Sequence, residues 1–301
     1  VVLGTVGPVR EVPEGIARPP YVAAGSPRSP RDGMPKHRYD YSQSDVEVKT
    51  PEQIEAMRAA GALAREALQL AGGLCVPGAT PERVDAAVHD FICSRGAYPS
   101  PLGYMGYPKA TCISVGDILA HGIADDRPMQ SGEIVNVDIT VYLNGHHGDT
   151  SSMFFVGKPG RAAYELCEVG QRALLAGVEA CGPGVDFREI GRAIHAVTRE
   201  AGVTNSTTFT GHGIGSYFHG TPHIVHTVND ENWGVMQPGM TFTIEPLLVE
   251  SNDKTERLLD DDWTLRSGTG AWHAQFEHTV LITDSGHELL TGPTLDYKAI
   301  S

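Results

Sequence analysis

The stretch Ile134-Val135-Asn136-Val137-Asp138-Ile139-Thr140-Val141-Tyr142-Leu143-Asn144-Gly145-His146-His147-Gly148-Asp149-Thr150 reads as two strands joined by a tight turn. The run from Ile134 to Tyr142 is rich in β-formers, and Asn144-Gly145 suits a type I′ turn, whose two central residues both take positive φ. With a two-residue turn, opposed residues sum to 289, so Asp138 faces Ser151, two residues from Asp149. Side chains alternate with period two, which puts Asp138 and Asp149 on one face. Acidic residues beside a turn are ordinarily solvated, but Asp138 sits between Val137 and Ile139 in a run too apolar for a turn.

Two more carboxylates occur in similar frames: Glu245 in Phe242-Thr243-Ile244-Glu245-Pro246 and Glu277 in Gln275-Phe276-Glu277-His278-Thr279. His212 stands in the glycine-rich Gly211-His212-Gly213. Burying ionised carboxylates together is costly unless cations pair with them. Oxygen-rich clusters with one imidazole suit divalent manganese, iron or cobalt. Asp138, Asp149, His212, Glu245 and Glu277 are therefore candidate metal ligands of a hydrolase.

Helices flank these strands. Thr50-Pro51-Glu52-Gln53 has the form of a capping box and opens a helix to about Gly72. A second opens at Thr80-Pro81 and ends near Gly96, with Val84, Val88, Phe91 and Ile92 on one face. Residues 161–180 form a third, and Asp186-Phe187-Arg188-Glu189 reads as a capping box for a fourth that ends near Gly202. The second and fourth share a register of 106 residues: Pro77-Gly78 matches Pro183-Gly184, Ala87-Val88-His89 matches Ala193-Ile194-His195, and Gly96 matches Gly202. The simplest architecture is an α+β fold of two α/β halves with the metal between their sheets, since such junctions are common site locations.

The chain has 301 residues, 41% of them hydrophobic, enough for one large domain or two small ones. Its net charge of -14 and lack of a long basic stretch argue against nucleic-acid readout. No apolar run reaches the ~20 residues of a membrane span, so membrane insertion is not expected. Five cysteines without C-x-x-C spacing argue against a disulfide framework and fit a reducing, intracellular compartment. Residues 1–45, rich in Pro, Gly, Ser and Arg, read as an extended arm before a catalytic domain at 46–301.

Several short segments, in order, resemble the type I methionine aminopeptidases of the pita-bread fold. They are Gly106-Tyr107-Pro108-Lys109, Ala120-His121-Gly122-Ile123, Asn136-Val137-Asp138, His147-Gly148-Asp149-Thr150, Gly211-His212-Gly213-Ile214-Gly215, Phe218-His219-Gly220, Thr243-Ile244-Glu245-Pro246 and Ala274-Gln275-Phe276-Glu277-His278-Thr279. The region runs from about Thr50 to Leu290. Tyr98-Pro99-Ser100-Pro101-Leu102-Gly103-Tyr104 and Gly215-Ser216-Tyr217-Phe218-His219-Gly220 are most similar to the organellar branch. The resemblance implies two divalent ions per chain (cobalt, manganese, iron or zinc). Asp138 would hold the first, Asp149 and Glu277 would bridge, and His212 and Glu245 would hold the second. A metal-bridging hydroxide would attack the first peptide bond, with Glu245 as proton shuttle. His121 would lie near the scissile nitrogen and His219 near the developing oxyanion. Tyr104, Tyr107, Cys112, Phe218 and Trp263 would wall a methionine pocket, with Pro101 at its rim. The partners implied are nascent polypeptide N-termini with a small second residue, and a ribosome contact. A mitochondrion or plastid is expected from the family branch and the absence of a starting Met, with the cytoplasm as the alternative. Competing readings are a prolidase-like dipeptidase and a non-catalytic subunit of a larger assembly.

The family commonly has Asn where this chain has Gly116, Cys where it has Ala120 and Pro where it has Ala124; loss of that proline is expected to loosen the loop presenting His121. The glycine-rich stretch before Glu277, 267–273, is also unusual. Ile16-Ala17-Arg18-Pro19-Pro20-Tyr21-Val22 resembles the proline-containing linker of extended relatives, which packs over the catalytic domain or touches a ribosome. His146 is expected to be solvated, His89 and His195 to be packing or surface residues, and His278 to point away from Glu277. Asp260-Asp261-Asp262 reads as a solvated turn, and Cys75, Cys93, Cys167 and Cys181 as structural.

Overall fold

A computed structural model describes residues 1–22, 46–252 and 255–300. Helices α1 (Pro51–Leu74) and α2 (Pro81–Ser94) precede strands β1 (Tyr98–Pro99), β2 (Cys112–Val115), β3 (Ile118–Ala120), β4 (Ile134–Leu143) and β5 (His146–Phe155). Then come α3 (Arg161–Glu179), α4 (Arg188–Ala201), β6 (Thr204–Asn205), β7 (Gly211–Gly213), β8 (Gly220–Ile224), β9 (Thr241–Ile244) and β10 (Leu247–Val249). Strands β11 (Glu256–Leu258), β12 (Leu265–Ser267), β13 (His273–Gln275), β14 (Glu277–Ile282) and β15 (His287–Leu289) lead to the short α5 (Tyr297–Ile300).

Both ends of the sequence argument for α1 are realised. Thr50 accepts from the Gln53 amide while the Gln53 side chain accepts from the Thr50 amide, closing the capping box. At α4 the expected box does not form. Asp186 accepts from the Arg188 amide and clasps the Arg188 guanidinium, and Phe187 occupies the cap position without a side-chain bond. A basic residue two positions on gives the carboxylate a charged partner, which outcompetes a second neutral backbone donor. Gly202 ends α4 in the left-handed region, φ 67°.

The main sheet runs β1-β4-β5-β14-β9-β7-β8, with β2 and β15 attached to β4 and β14. Its centre joins a hairpin of the first half, β4–β5, to two strands of the second, β14 and β9. The two halves share one continuous sheet, with the carboxylates where the strands of one half meet those of the other. The β4–β5 register pairs Asp138 with Ser151 and Thr140 with Asp149, and Asn144 and Gly145 take φ 52° and 79° at the turn.

Helix α1 lies against β4 and β5 through a face of small residues, Ala60, Gly61, Ala64, Ala67 and Ala71 among them. The approach is so close that a Cβ on Gly148 would stand 2.4 Å from the Gly61 amide nitrogen. Val84, Val88 and Ile92 of α2 are fully buried, each contributing ~1.5–3 kcal/mol. Among the described residues no helix is long and apolar enough to cross a membrane.

Residues 1–22 run along this body. The Gly4 amide donates to Asp125, Lys109 donates to the Gly7 carbonyl, and Arg10 pairs with Asp90. The remainder of the expected arm, 23–45, lies outside the described residues.

Gly148→Ala forces α1 away from β5 or bends the strand. We expect a loss of about 1–3 kcal/mol in urea unfolding, the usual range for overpacking; unchanged stability would show that the contact yields freely.

Candidate metal centre and active site

The sheet register assembles the site. Asp138 and Asp149 project from one face of β4–β5, and Thr140 Oγ1 donates to Asp149 Oδ1 at 2.6 Å. Glu277, at the start of β14, pairs across from Ser151 and so joins the same row. His212 enters from β7, and Glu245 follows directly after β9. The glycines beside His212 are required by strand spacing: a Cβ on Gly211 would stand 2.2 Å from the Thr243 carbonyl oxygen, and one on Gly213 1.7 Å from that of Thr221.

Neutral side chains fix the backbone behind these groups. Thr279 Oγ1 accepts from the Asp149 amide at 3.1 Å and donates to the Asp149 carbonyl at 2.8 Å. Thr150 Oγ1 donates to the Glu277 carbonyl. Thr243 Oγ1 accepts from the His212 amide and donates to Glu245 Oε1. Gln275 donates to Glu245, while the Glu245 amide donates to His226 Nε2 at 3.1 Å. None of these supporting residues was singled out from the sequence, because polar residues in β-runs give no local sign of what they face.

The atoms that Asp149, His212 and Glu277 can offer lie within 4.8 Å of one another. Asp138 adjoins this trio through Asp149, and Glu245 through His212 Nε2, 3.5 Å from Glu245 Oε1. No lysine or arginine is among the described residues lining the cavity around them. Burial pushes Asp138 up to about 7, and burial with the Asp138 charge pushes Glu245 up to about 8. Asp149 and Glu277 rise well above the usual carboxylate range, by burial first and then by their carboxylate neighbours. Burial lowers His212 to about 4, leaving it neutral and able to ligate near neutral pH. Glu277 Oε1 is buried with no hydrogen-bond partner among the described residues. Oxygen donors with one neutral imidazole, an orphaned carboxylate oxygen and no compensating cation together fit a divalent metal centre.

A cavity of about 490 Å³ opens onto this cluster. It is lined by every residue expected of the methionine pocket: Pro101, Tyr104, Tyr107, Cys112, Phe218 and Trp263. Cys112 pairs with Asp138 across β2–β4, which sets it on the pocket floor. His121 and His219 also line the cavity. His121 has φ 53° and its ring stands between Phe209 and Trp263, with centroids 5.3 and 5.7 Å away. His219 Nδ1 is 3.0 Å from the Tyr104 hydroxyl. Met105, Thr208, Phe209 and His223 line the cavity too; they come from loops and a short strand without periodic pattern, and the sequence reading passed over them.

The substituted loop around His121 is held tightly, against the expected loosening. Gly122 donates to Ser114 Oγ, accepts from Tyr107 and from the Ile113 amide, and Ala124 is fully buried. Gly116 has φ 62°, a conformation that asparagine and glycine both tolerate. Other histidines lie apart from the cluster. His278 is bonded to Thr291 and Thr294, His273 to the Gly116 carbonyl, and His89 is buried on α2. His195 is exposed, and His146 is half-buried rather than solvated because its ring folds back on the Asn144 carbonyl. Asp261 caps the turn before Trp263 by accepting from Trp263 and Thr264. The five cysteines are free thiols.

Residues 55–284 match Metallopeptidase family M24. Methionine aminopeptidase 1D, chloroplastic/mitochondrial, of Arabidopsis thaliana is 44% identical over 288 residues, 96% of this chain and 78% of the relative. Methionine aminopeptidase 1D, mitochondrial, of Homo sapiens is 44% identical over 291 residues, 97% of this chain and 83% of the relative. The crystal structure of methionine aminopeptidase from Rickettsia prowazekii superposes with a TM-score of 0.80 at 35% identity, covering 82% of this chain and 100% of that one.

The raised carboxylates bind protons more tightly in the folded than in the unfolded chain, so the metal-free protein loses stability as pH rises through their folded values. Buried thiols raised by the same burial, Cys75, Cys112, Cys167 and Cys181, add to this loss above about pH 7.5, so the carboxylates' share is the part that a bound cation removes. Chelator-treated protein is expected to melt lower at about pH 8.5 than at about pH 7, and added manganese to shrink that difference. A melting temperature independent of pH in the metal-free protein would contradict this electrostatic picture.

Proposed function

Because the chain belongs to metallopeptidase family M24, we propose that it removes the N-terminal methionine from polypeptides with a small second residue. The single observation that carries this reading is the join between the carboxylate–imidazole cluster and an aromatic cavity wide enough for one thioether side chain. The proposed metal ligands are Asp138, Asp149, His212, Glu245 and Glu277. The family is one of metallopeptidases and so implies divalent ions; two per chain, of cobalt, manganese, iron or zinc, are proposed. The domain that does this work is proposed as 46–301, with 1–45 as an arm, in line with the family match to 55–284.

When bound, the ions supply Lewis acidity toward the attacking water and the scissile carbonyl. The protein does the rest. Tyr104, Tyr107, Phe218, Trp263 and Cys112 exclude water from the methionine side chain, whose burial contributes ~1.5–3 kcal/mol, with sulfur–ring contacts added. Glu245 takes the water's proton and passes it on toward the departing amine. His219, exposed to the cavity and bonded to Tyr104, donates to the oxygen where negative charge grows. His121, neutral because burial lowers it to about 4, contacts the scissile nitrogen. Its wedged ring also narrows the space for the second residue.

The substrates are the N-termini of nascent chains, which a ribosome contact would present as they emerge. A mitochondrion or plastid is proposed as the compartment, supported by the mitochondrial and chloroplastic relatives, with the cytoplasm as the alternative.

After chelation and metal return, methionine should be released from Met-Ala-Ser but not from Met-Leu-Ser. Asp149→Asn should lower kcat/KM by about a hundredfold or more with the fold intact by circular dichroism. Cleavage of Ala-Pro instead would favour the prolidase-like reading. Folded protein inactive with every metal would favour the non-catalytic one.

A further inference from the structure

Tyr21 lies outside the segment matched to the family, 55–284, and outside the catalytic domain expected from the sequence. Its hydroxyl donates to the Ser100 carbonyl at 2.6 Å. Its ring meets Tyr104 edge to face at 4.9 Å and 82°, and lies parallel to His147 at 6.1 Å and 20°. Both neighbours lead to the active site. Tyr104 bonds His219 Nδ1 at 3.0 Å and packs on Phe218 at 4.8 Å. His147 stacks on the other side of the same system, on Phe218 at 5.3 Å and 12°, with Ser100 Oγ 2.8 Å from its Nδ1. Tyr21 therefore touches two arms of a ring of aromatic groups that closes on Phe218 and His219.

The turn that carries Tyr104 needs such support. Residues Gly103, Met105 and Gly106 all have positive φ, 80°, 48° and 86°. A segment with two glycines has many alternative conformations, so its side chains are ordered by what packs on them. Tyr21 is well placed to do this, because it is fixed from its own side. The Val22 amide donates to the Pro19 carbonyl, Pro19 is buried, and Arg18 donates to the Val12 carbonyl. Further back the arm is tied to Asp125, Lys109 and Asp90.

The geometry points to Tyr21 as a positioning residue for the reaction: the arm supplies the back wall that holds Tyr104, and through it His219, in the geometry of catalysis. The arm is thereby part of the active site and not a tether. The inference rests on the proposed methionine release, in which Tyr104 walls the pocket and His219 faces the developing charge. A small misplacement of a group that acts in the transition state lowers kcat more than it raises KM.

The test compares Tyr21→Ala and Tyr21→Phe in the full chain. Phenylalanine keeps the ring against Tyr104 and His147 and loses only the bond to Ser100. With Met-Ala-Ser as substrate, Tyr21→Ala is expected to lower kcat about tenfold with KM changed less than about threefold, and Tyr21→Phe to restore kcat to near the parent value. A mere anchor of the arm would leave kcat unchanged in Tyr21→Ala, or would reduce it equally in Tyr21→Phe; either result overturns the inference. Should Tyr21→Ala melt early, Tyr21→Leu, which keeps an apolar body in the gap, carries the comparison. A second readout stands apart from turnover. The ring ¹⁵N signals of His219 in chelator-treated protein should shift or broaden in Tyr21→Ala and stay in place in Tyr21→Phe. If the parent protein releases no methionine, the proposed function fails while this readout still decides the brace; unchanged His219 signals in Tyr21→Ala would reject it.

Discussion

Four carboxylates and one imidazole meet on one face of a sheet with no lysine or arginine among the described residues of the cavity around them, and the rest of the structure depends on holding them there. Such a cluster repels itself and is stripped of water, so the apoprotein binds protons where ordinary carboxylates would have lost them. A divalent cation relieves both penalties at once. The same arrangement that opposes folding without metal thus favours binding one.

The sheet meets that demand by rigidity. Asp138 and Asp149 are fixed relative to each other by a hairpin register that a one-residue slip would destroy. Glu277 starts β14 and Glu245 follows β9, both in the other half; Thr279 and Thr150 bond the backbone of Asp149 and Glu277, and Thr243 donates to the Glu245 carboxylate. Small residues on α1 let the helix approach β5 closely enough to back this row. Walling the cavity falls to loops: the turn at Tyr104, the left-handed His121 and the segment before Trp263. A rigid floor with loop-built walls is a common division, since loops can change shape without disturbing the ladder.

Much of the site was legible because it is written in local signals. Asn144-Gly145 fixed a turn, the turn fixed a register, and the register placed two carboxylates on one face before any tertiary contact was known. The capping box at Thr50 worked for the same reason: it involves only four consecutive residues. The box expected at Asp186 failed because Arg188 offered the carboxylate a charged partner that the pattern ignored. The loop at His121 was expected to loosen without a proline, yet Tyr107 and Ser114 hold it from elsewhere in the chain. The sequence suggested the two halves but not how they join: strand β14 of the second half pairs with β5 of the first, making one sheet of both.

The sequence by itself determined the candidate ligands, the hairpin that aligns two of them, and the family that the short motifs resemble. Those features rest on interactions between near neighbours, where spacing alone fixes geometry. Only the tertiary structure decided how strongly the carboxylates are perturbed, which threonines and glutamine secure them, and that Met105, Phe209 and His223 share the cavity. It also decided what Tyr21 meets: the sequence marked its segment as a linker that packs over the catalytic domain or touches a ribosome, without saying where the ring would lie. The physical reason is common to all of these. Burial and long-range packing depend on what the distant parts of the chain bring, and no local period records it.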